Sequence, residues 1–270
     1  MTTASLAPRT ALFLPASNPR AIAKAKELAA DLVILDLEDA VRDDSKAAAR
    51  AAAVKAAATG FGNRPCAIRV NGSESGEHAA DLAAMACSAC DFVVLPKVET
   101  PEAAAKVANT TGKPLLAMIE TPRGVLAAAE IAAVPGVRGL IAGVNDLRAT
   151  LGIPADGGRD GLALSLQMIV LAARAGAIWA LDGVFNALDD PDGLAAECRH
   201  GRVLGFDGKS LIHPNQIEIA AAAFGASEAE LAEAHALIAA ASGGAERFGD
   251  RMIEAMHVDQ ARALIERNLR

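Results

Sequence analysis

Short apolar runs alternate with helix-like stretches along most of the chain. The runs lie at residues 10–14, 32–37, 66–70, 92–95, 115–119, 137–142, 178–181 and 203–206. Several are nearly continuous in branched apolar residues, as in LVILDL, which is typical of strands buried on both faces. The segments between them are rich in alanine, the residue that costs least in a helix.

Eight strand–helix units within about 210 residues predict a (β/α)8 TIM barrel of the α/β class. An open doubly wound sheet is the alternative, but it usually has fewer strands and often a G-x-G-x-x-G fingerprint, which this sequence lacks. We assign the barrel to residues 1–225. Residues 226–270 change to two helices, at about 229–241 and 257–268, with a break at Gly243 and Gly244. This tail is too short for its own core, so we expect it to pack on the barrel or on a neighbouring subunit.

Composition and charge exclude several classes of protein. A chain of 270 residues that is 52% hydrophobic can build one large core. The net charge of −7, with no block of Lys or Arg, argues against a nucleic-acid partner. No run is long and apolar enough for a membrane span, and MTTASLAPRT lacks the pattern of a secretion signal.

The four cysteines are too few for a disulfide framework in a chain of this length. Cys87 and Cys90 form a CSAC motif, but no second pair or nearby His completes a zinc site. We therefore expect reduced thiols in a cytoplasmic protein.

One acidic residue follows each of two predicted strands, Glu120 after LLAMI and Asp146 after GLIAGVN. The carboxyl ends of parallel strands converge on one face of a barrel, where ligands bind. Adjacent strands are ~4.8 Å apart, so the two carboxylates can grip one hard cation between them. Two carboxylates suit Mg²⁺, which keeps several waters open to substrate oxygens.

Other charged residues also stand at or near strand ends, and Arg69 is the most informative of them. Its planar guanidinium can hold a carboxylate, and a carboxylate held beside Mg²⁺ with an adjacent carbonyl is the geometry of a 2-oxo acid. Any single strand-end charge could instead be a helix cap or a structural ion pair. The remaining groups are Asp36, Glu38, Asp39, Lys97, Asp182 and Lys209.

Two further motifs are weaker. His213 opens a predicted helix, where a structural role is at least as plausible as contact with a ligand. The sequence Gly208-Lys209-Ser210 looks like the end of a phosphate-binding loop, but the required earlier glycine would fall at Val203, so that reading fails.

Several motifs together resemble the citrate lyase β-subunit-like branch of the HpcH/HpaI aldolase/citrate lyase family. In order, they are RTALFLPASNPR, VILDLEDAV followed by Lys46, IRVN, VVLPKVE, AMIETPRGV, GVNDL and GFDGKSLIHPNQ. The resemblance runs from about residue 9 to residue 224. It implies a barrel, usually a homotrimer, that binds Mg²⁺ and makes or breaks C–C bonds, commonly in acyl-CoA substrates.

The resemblance also implies roles for individual residues. Glu120 and Asp146 match the metal ligands, and Arg69 matches the arginine that binds the substrate carboxylate. Glu38 matches the acidic residue behind the metal waters. The loop and helix after the first strand contact coenzyme A in the family, which here points to Ser17, Arg20 and Lys24.

Two departures put the substrate in doubt. Family members often carry a C-terminal G-x-M-I-D segment whose Asp reaches a neighbouring active site, whereas residues 250–254 read DRMIE, with Glu254 at the last position. The extra methylene moves that carboxylate by ~1.5 Å, a displacement that can change rates greatly. The segment after IRVN is also short and polar.

Three functions therefore stay open. The first is a Mg²⁺-dependent lyase that cleaves a citryl-, malyl- or citramalyl-CoA type substrate into an acyl-CoA and a 2-oxo acid. The second is a non-catalytic barrel that binds a CoA ester or a 2-oxo acid, and the third is an aldolase that acts on free 2-oxo acids. For the tail, we expect its apolar face to be buried at a subunit interface, which would place Glu254 near the Mg²⁺ of a neighbour in a homotrimer. Packing of the tail on its own barrel is the alternative. The tail's apolar face consists of Leu231, Ala234, Leu237 and Ile238.

Overall fold

A computed structural model describes residues 6–154 and 157–268 of the chain. Eight parallel strands pair in sequence order and the last pairs with the first, which closes a barrel and confirms the predicted fold. The first five residues of the stretch inspected for a secretion signal lie outside the described residues. No described helix is long and apolar enough to cross a membrane.

The strands of the barrel are β1 Thr10–Pro15, β2 Leu32–Asp36, β3 Cys66–Arg69, β4 Phe92–Leu95, β5 Leu115–Ile119, β6 Val137–Ala142, β7 Trp179–Asp182 and β8 Gly208–Leu211. The helices around it are α1 Pro19–Ala25, α2 Lys46–Thr59, α3 His78–Cys87, α4 Pro101–Thr111, α5 Pro122–Leu126, α6 Ala128–Ala132, α7 Val144–Thr150, α8 Ala163–Ala175, α9 Pro191–Leu204 and α10 Ile217–Phe224. Short 3-10 turns lie at Asp43–Ser45, Asp160–Leu162 and Pro214–Gln216. The tail contains α11 Glu228–Ala240, β9 Glu246–Phe248, β10 Arg251–Ile253 and α12 Ala255–Asn268.

Alternation along the strands separates two apolar clusters. On β2, Leu32 and Ile34 belong to a cluster inside the barrel, whereas Val33 and Leu35 belong to the larger cluster between the strands and the helices. Because side chains alternate between faces, residues two positions further along a strand stay on the same side. Asp36 therefore follows Ile34 towards the barrel interior, and the top of the interior is polar.

The last strand was predicted five residues too early, at residues 203–206 instead of Gly208–Leu211. Residues 203 and 204 end α9 instead, and Val203 is 83% exposed. The helix stops at Gly205, whose φ of +99° is the left-handed conformation that glycine adopts at helix ends. Strand β8 is instead GKSL, and all four of its residues are buried. The apolar letters VLGF misled the prediction because half of them belong to the helix.

The tail folds back on itself through a hairpin that the sequence did not reveal. Strands β9 and β10 pair antiparallel and bring α12 against α11. Ala234 and Leu237 are buried there with Ile253 and Ala261. The expectation that this helix face needs a partner subunit is therefore wrong for those two side chains, because the missed hairpin supplies their partners. The tail has a small core of its own.

Candidate active site

A cavity of about 350 Å³ opens at the carboxyl ends of the barrel strands. Side chains from β2, β3, β5 and α7 converge on it, as expected for this face of a barrel. The charged residues in its wall are Asp36, Asp39, Arg69, Glu120 and Asp146. The structure thus brings both predicted metal ligands and the predicted carboxylate-binding arginine to one cavity.

The side chain of Glu120 is buried and closely packed, so it has little freedom to change its conformation. It is 2% exposed, and its Oε1 accepts a hydrogen bond of 2.6 Å from the backbone N–H of Lys97. Lys97 has φ +51°, which is uncommon for a residue with a side chain. On the other side, a Cβ at Gly143 would lie 2.2 Å from the Cβ of Glu120. Only glycine can stand there.

The electrostatics of Glu120 favour a cation. Burial, with the nearby negative charge of Asp146, raises the pKa of Glu120 to about 7. A buried carboxylate close to a second one is costly unless a cation neutralises them. Among the described residues, no group of three or more His, Cys, Asp or Glu side chains could hold a metal ion. Two carboxylates alone fit Mg²⁺, which takes one or two from a protein and completes its shell with water and substrate.

Arg69 is fixed by Asp36, a residue that the sequence analysis noted only as a strand-end charge. The Nε and Nη2 atoms of Arg69 each donate to an oxygen of Asp36 at 2.6 Å. This bidentate pair raises the pKa of Arg69, although burial alone would lower it. The Nη1 edge is the part left for a substrate carboxylate, and it already faces Glu38 at 3.0 Å. The Asp36 pair could have been found by pairing equal positions of adjacent strands, since Asp36 and Arg69 are register partners.

Glu38 lies behind these groups and has spare hydrogen-bonding capacity. It is 8% exposed, and its pKa is raised chiefly by burial. Its Oε2 is the atom that lies 3.0 Å from Nη1 of Arg69, but that ion pair lacks hydrogen-bond geometry, and Oε2 accepts no hydrogen bond among the described residues. The Nζ of Lys46 donates to the carbonyl oxygens of Leu37 and Glu38 at 3.1 and 3.0 Å, which fixes this turn. An acceptor in this position suits a water that belongs to a bound cation.

Ser210 is a residue of the cavity wall that sequence reasoning missed. It is 1% exposed, and its hydroxyl has no hydrogen-bond partner among the described residues. A buried hydroxyl without a partner costs about 1–3 kcal/mol, so its presence beside an open cavity indicates a ligand that completes it. No signal in the sequence distinguishes it, because β8 was assigned elsewhere.

Four of the predicted strand-end charges do not line the cavity, and two of them, Asp182 and Lys209, belong to a separate network. Lys209 is fully buried and turns outward to α9, where its Nζ lies 3.1 Å from Asp182 and 2.7 Å from Glu197. Arg159 contacts the same two carboxylates. These four residues form a closed ion network between the barrel and its helices.

The remaining predicted residues lie apart from the cavity. Ser17, Arg20 and Lys24 are exposed on the loop and first turns after β1, whose last residues line the cavity. Glu254 is exposed at the start of α12, and no described tail residue lines the cavity. His213 caps a 3-10 turn by accepting from the N–H of Asn215, so it has the structural role considered for it.

The cysteines are free thiols. Burial raises the pKa of Cys66 and Cys90, and it raises that of Cys198 to about 11, so these three thiols are protonated at neutral pH. Cys87 is exposed.

Comparison with known proteins gives consistent matches over nearly the whole chain. The family model described as HpcH/HpaI aldolase/citrate lyase matches residues 9–214, and one described as C-C bond lyase of the TIM-barrel fold matches residues 161–268. A (3S)-malyl-CoA thioesterase of Cereibacter sphaeroides is 44% identical over 263 residues, which cover 94% of this chain and 92% of that protein. A citrate lyase subunit beta-like protein of Mycobacterium tuberculosis is 38% identical and covers 95% of this chain and 94% of its own length.

Solved structures agree with these matches. The crystal structure of CitE from Mycobacterium tuberculosis in complex with magnesium, acetoacetate and coenzyme A has a TM-score of 0.84 at 36% identity. It covers 98% of this chain and 99% of that one. The citrate lyase beta subunit of the same organism, complexed with oxaloacetate and magnesium, has a TM-score of 0.72 at 38% identity over 83% of this chain and 99% of its own.

Proposed function

Because this chain belongs to the HpcH/HpaI aldolase/citrate lyase family, we propose that it is a Mg²⁺-dependent carbon–carbon lyase. Its substrate is a 3-hydroxyacyl-CoA carboxylate of the citryl-, malyl- or citramalyl-CoA type, and its products are an acyl-CoA and a 2-oxo acid. One observation carries the proposal. Two carboxylates, the buried Glu120 and the half-buried Asp146, share a cavity with a fixed guanidinium, Arg69.

Glu120 and Asp146 would hold the metal, and Glu38 would accept from its water. Bound there, Mg²⁺ would supply a Lewis acid for the oxygen on the carbon that becomes the carbonyl of the 2-oxo acid. Support comes from the relatives whose structures contain magnesium with oxaloacetate, or with acetoacetate and coenzyme A.

The residues of this chain then orient the substrate and move a proton. The Nη1 edge of Arg69 binds the carboxylate of the 2-oxo acid half, and Asp36 keeps the guanidinium in place. A carboxylate accepts the proton of the substrate hydroxyl, and the bond between the hydroxyl-bearing carbon and the α-carbon of the thioester breaks. Its electron pair forms the thioester enolate, which takes a proton at carbon to give the acyl-CoA. Coenzyme A lies along the exposed residues Ser17, Arg20 and Lys24.

Thioester hydrolysis is the second candidate, favoured by the 44% identical relative named (3S)-malyl-CoA thioesterase. The two reactions give different products from the same substrate. A lyase releases a 2-oxo acid and leaves the thioester intact, whereas a thioesterase consumes water and releases free coenzyme A.

The test is a panel of 3-hydroxyacyl-CoA carboxylates with Mg²⁺, in which the 2-oxo acid and the free thiol are measured separately in each reaction. We expect 2-oxo acid in excess of thiol, and the reverse reaction from acyl-CoA and 2-oxo acid. Thiol release without 2-oxo acid would assign the hydrolytic function. Binding of oxaloacetate, glyoxylate or pyruvate without turnover of any thioester would favour a binding protein, and turnover of free 2-oxo acids alone would favour an aldolase.

We further propose a cytoplasmic homotrimer in which Glu254 of one subunit serves the cavity of its neighbour. The supporting observation is that Glu254 is exposed and that its own cavity has no described tail residue in its wall. Met252 and Met256, on either side of it, are also 62% and 55% exposed, which suits a surface that another subunit covers.

Mixed oligomers test the shared site directly. Neither Glu120→Ala nor Glu254→Ala subunits should be active alone. After unfolding and refolding together in equal amounts, about a quarter of the sites combine an intact cavity with an intact Glu254, since each half is present with a probability of one half. No recovery of activity would show that each site is built from one chain. Truncation after Ser242 is a second test, and unchanged assembly with unchanged activity would rule out the shared site.

A further inference from the structure

A second cluster of charges lies at the end of the barrel opposite the mouth. Arg9 immediately precedes β1, and Asp207 immediately precedes β8, so both stand at the amino-terminal ends of strands. Arg267, in the last turn of α12, reaches the same place, and its Nη2 donates to the carbonyl oxygen of Asp207 at 2.8 Å. Arg174 and Arg202 complete a group of four arginines where the tail meets the barrel.

Three of the four arginines have a carboxylate of their own. Arg9 pairs with Asp31 at 3.2 Å, and Arg202 pairs with Glu230 at 2.7 Å. Both pairs are only partly exposed, so solvent screens them incompletely.

Arg267 is the exception. Arg174 donates to both oxygens of Asp207, at 2.9 and 3.0 Å, and one of these oxygens also accepts from the N–H of Ala180. This leaves Arg267 with a contact of 3.4 Å to the same carboxylate. Burial lowers the pKa of Arg267, and so do the other three arginines. Within the described part of the chain, four guanidiniums share three carboxylates, and one positive charge is left over.

The surplus charge borders a cavity of about 90 Å³. Arg9, Arg202 and Arg267 line it together with the apolar side chains of Phe206, Phe224 and Leu264. At ~30 Å³ for each water of the liquid, the space equals about three waters, which is the size range of one tetrahedral oxyanion.

We propose that this cavity binds one inorganic oxyanion of the phosphate or sulfate class, and that the bound anion fixes the tail to the barrel. Such an anion supplies the negative charge that Arg267 does not find among the described residues, and the planar forks of the arginines match its oxygens. Because the three arginines come from the start of β1, from α9 and from α12, the ion connects the first strand to the last helix. This site is separate from the mouth and does not depend on the proposed reaction.

Calorimetric titration of the full-length protein with sodium phosphate, without Mg²⁺ and at constant ionic strength set by sodium gluconate, tests the site. We expect saturable binding of one phosphate. Arg267→Met should weaken it at least tenfold, whereas Arg262→Met on the same helix should not change it, because Arg262 is exposed and pairs with Asp259. Absence of saturable binding, or equal binding by the Arg267→Met variant, would overturn the proposal. Phosphate that bound at the mouth instead would bind the wild type and the Arg267→Met variant equally well.

Hydrogen exchange distinguishes the ion's effect from simple loss of tail packing. Phosphate should slow the exchange of α12 amides in the wild type and in Arg267→Lys, which keeps the charge, and not in Arg267→Met. Adenosine monophosphate tests whether the site accepts a phosphate attached to a larger molecule. If adenosine monophosphate binds and its binding requires Arg267, the assignment to a free ion is overturned. If the nucleotide does not bind while phosphate does, the result supports an enclosed site for a free ion.

Discussion

The mouth of the barrel and the Lys209 network both bury charged side chains at strand ends, yet their charges balance differently. Around the mouth, five carboxylates face two cations, Arg69 and Lys97. In the network behind β7 and β8, two carboxylates face Arg159 and Lys209. A balanced buried network holds structure together, whereas an imbalance is tolerated only where a ligand completes it. Counting charges therefore separates the candidate site from the scaffold.

The largest effect is expected on turnover, when one of the two carboxylates that give the mouth its excess negative charge is removed. Glu120→Ala or Asp146→Ala should lower turnover by at least ~10³-fold, which is the order of several kcal/mol that a Lewis acid contributes. The same variants should lose the rise in melting temperature that Mg²⁺ gives the wild type, while the metal-free proteins stay folded. Asp44→Ala, at an exposed position, is the control. Full turnover in excess chelator would contradict the assignment.

Breaking the balanced network should cost stability instead. Lys209→Met leaves Asp182 buried with one partner fewer, and removal of one member of a buried ion pair costs about 3–5 kcal/mol. Chemical denaturation measures this loss in the free energy of unfolding, and Lys55→Met, at an exposed position, is the control. Mg²⁺ affinity of the folded variant should stay within a few-fold of the wild type. A variant as stable as the wild type, but without Mg²⁺ binding, would place Lys209 in the site.

A pH titration sharpens the comparison further. The pKa of Glu120 rises from 4.5 to about 7 on folding, so the folded, metal-free protein keeps a proton that the unfolded chain loses. Its stability should therefore fall as pH rises from about 4.5 to 7, by roughly 3 kcal/mol if this group acts alone. Affinity for Mg²⁺ should rise over the same window, because the metal binds the carboxylate form. Glu120→Gln should remove this contribution, and an unchanged slope in that variant would assign it to other groups.

The smallest effect expected is at Ser210. Ser210→Ala should raise KM by a factor of about 3–10, the equivalent of one hydrogen bond to a ligand, with stability unchanged or slightly higher. Ser88→Ala is the matched control. The Ser88 hydroxyl donates to the carbonyl oxygen of Met85, so its loss should lower stability without changing KM. Unchanged KM in Ser210→Ala would show that the hydroxyl has no part in binding.

The sequence predicted the barrel and the two carboxylates because both signals are local. An apolar run followed at once by an acid needs no knowledge of distant residues. The buried strand β8 was placed wrongly because its polar residues are buried through partners far away, as Lys209 is by Asp182 and Glu197. The hydrogen bond from the N–H of Lys97 to Glu120 joins residues 23 positions apart, and the positive φ of Lys97 is not indicated by its residue type. What could not be predicted was therefore mostly the pairing between distant segments.

Gly143 brings no chemistry to the mouth, yet it restricts how this protein can change. Any side chain there would occupy the volume of Glu120, since even a Cβ would lie 2.2 Å from its Cβ. In a library of all single substitutions, position 143 should therefore be as intolerant as the carboxylates themselves. A shorter acid at position 120 would not restore a Gly143→Ala variant, because aspartate keeps the Cβ with which the new methyl group collides. The close approach of the two backbones therefore excludes a side chain at position 143 whichever acid stands at position 120, and this constraint persists through any change in the chemistry of the mouth.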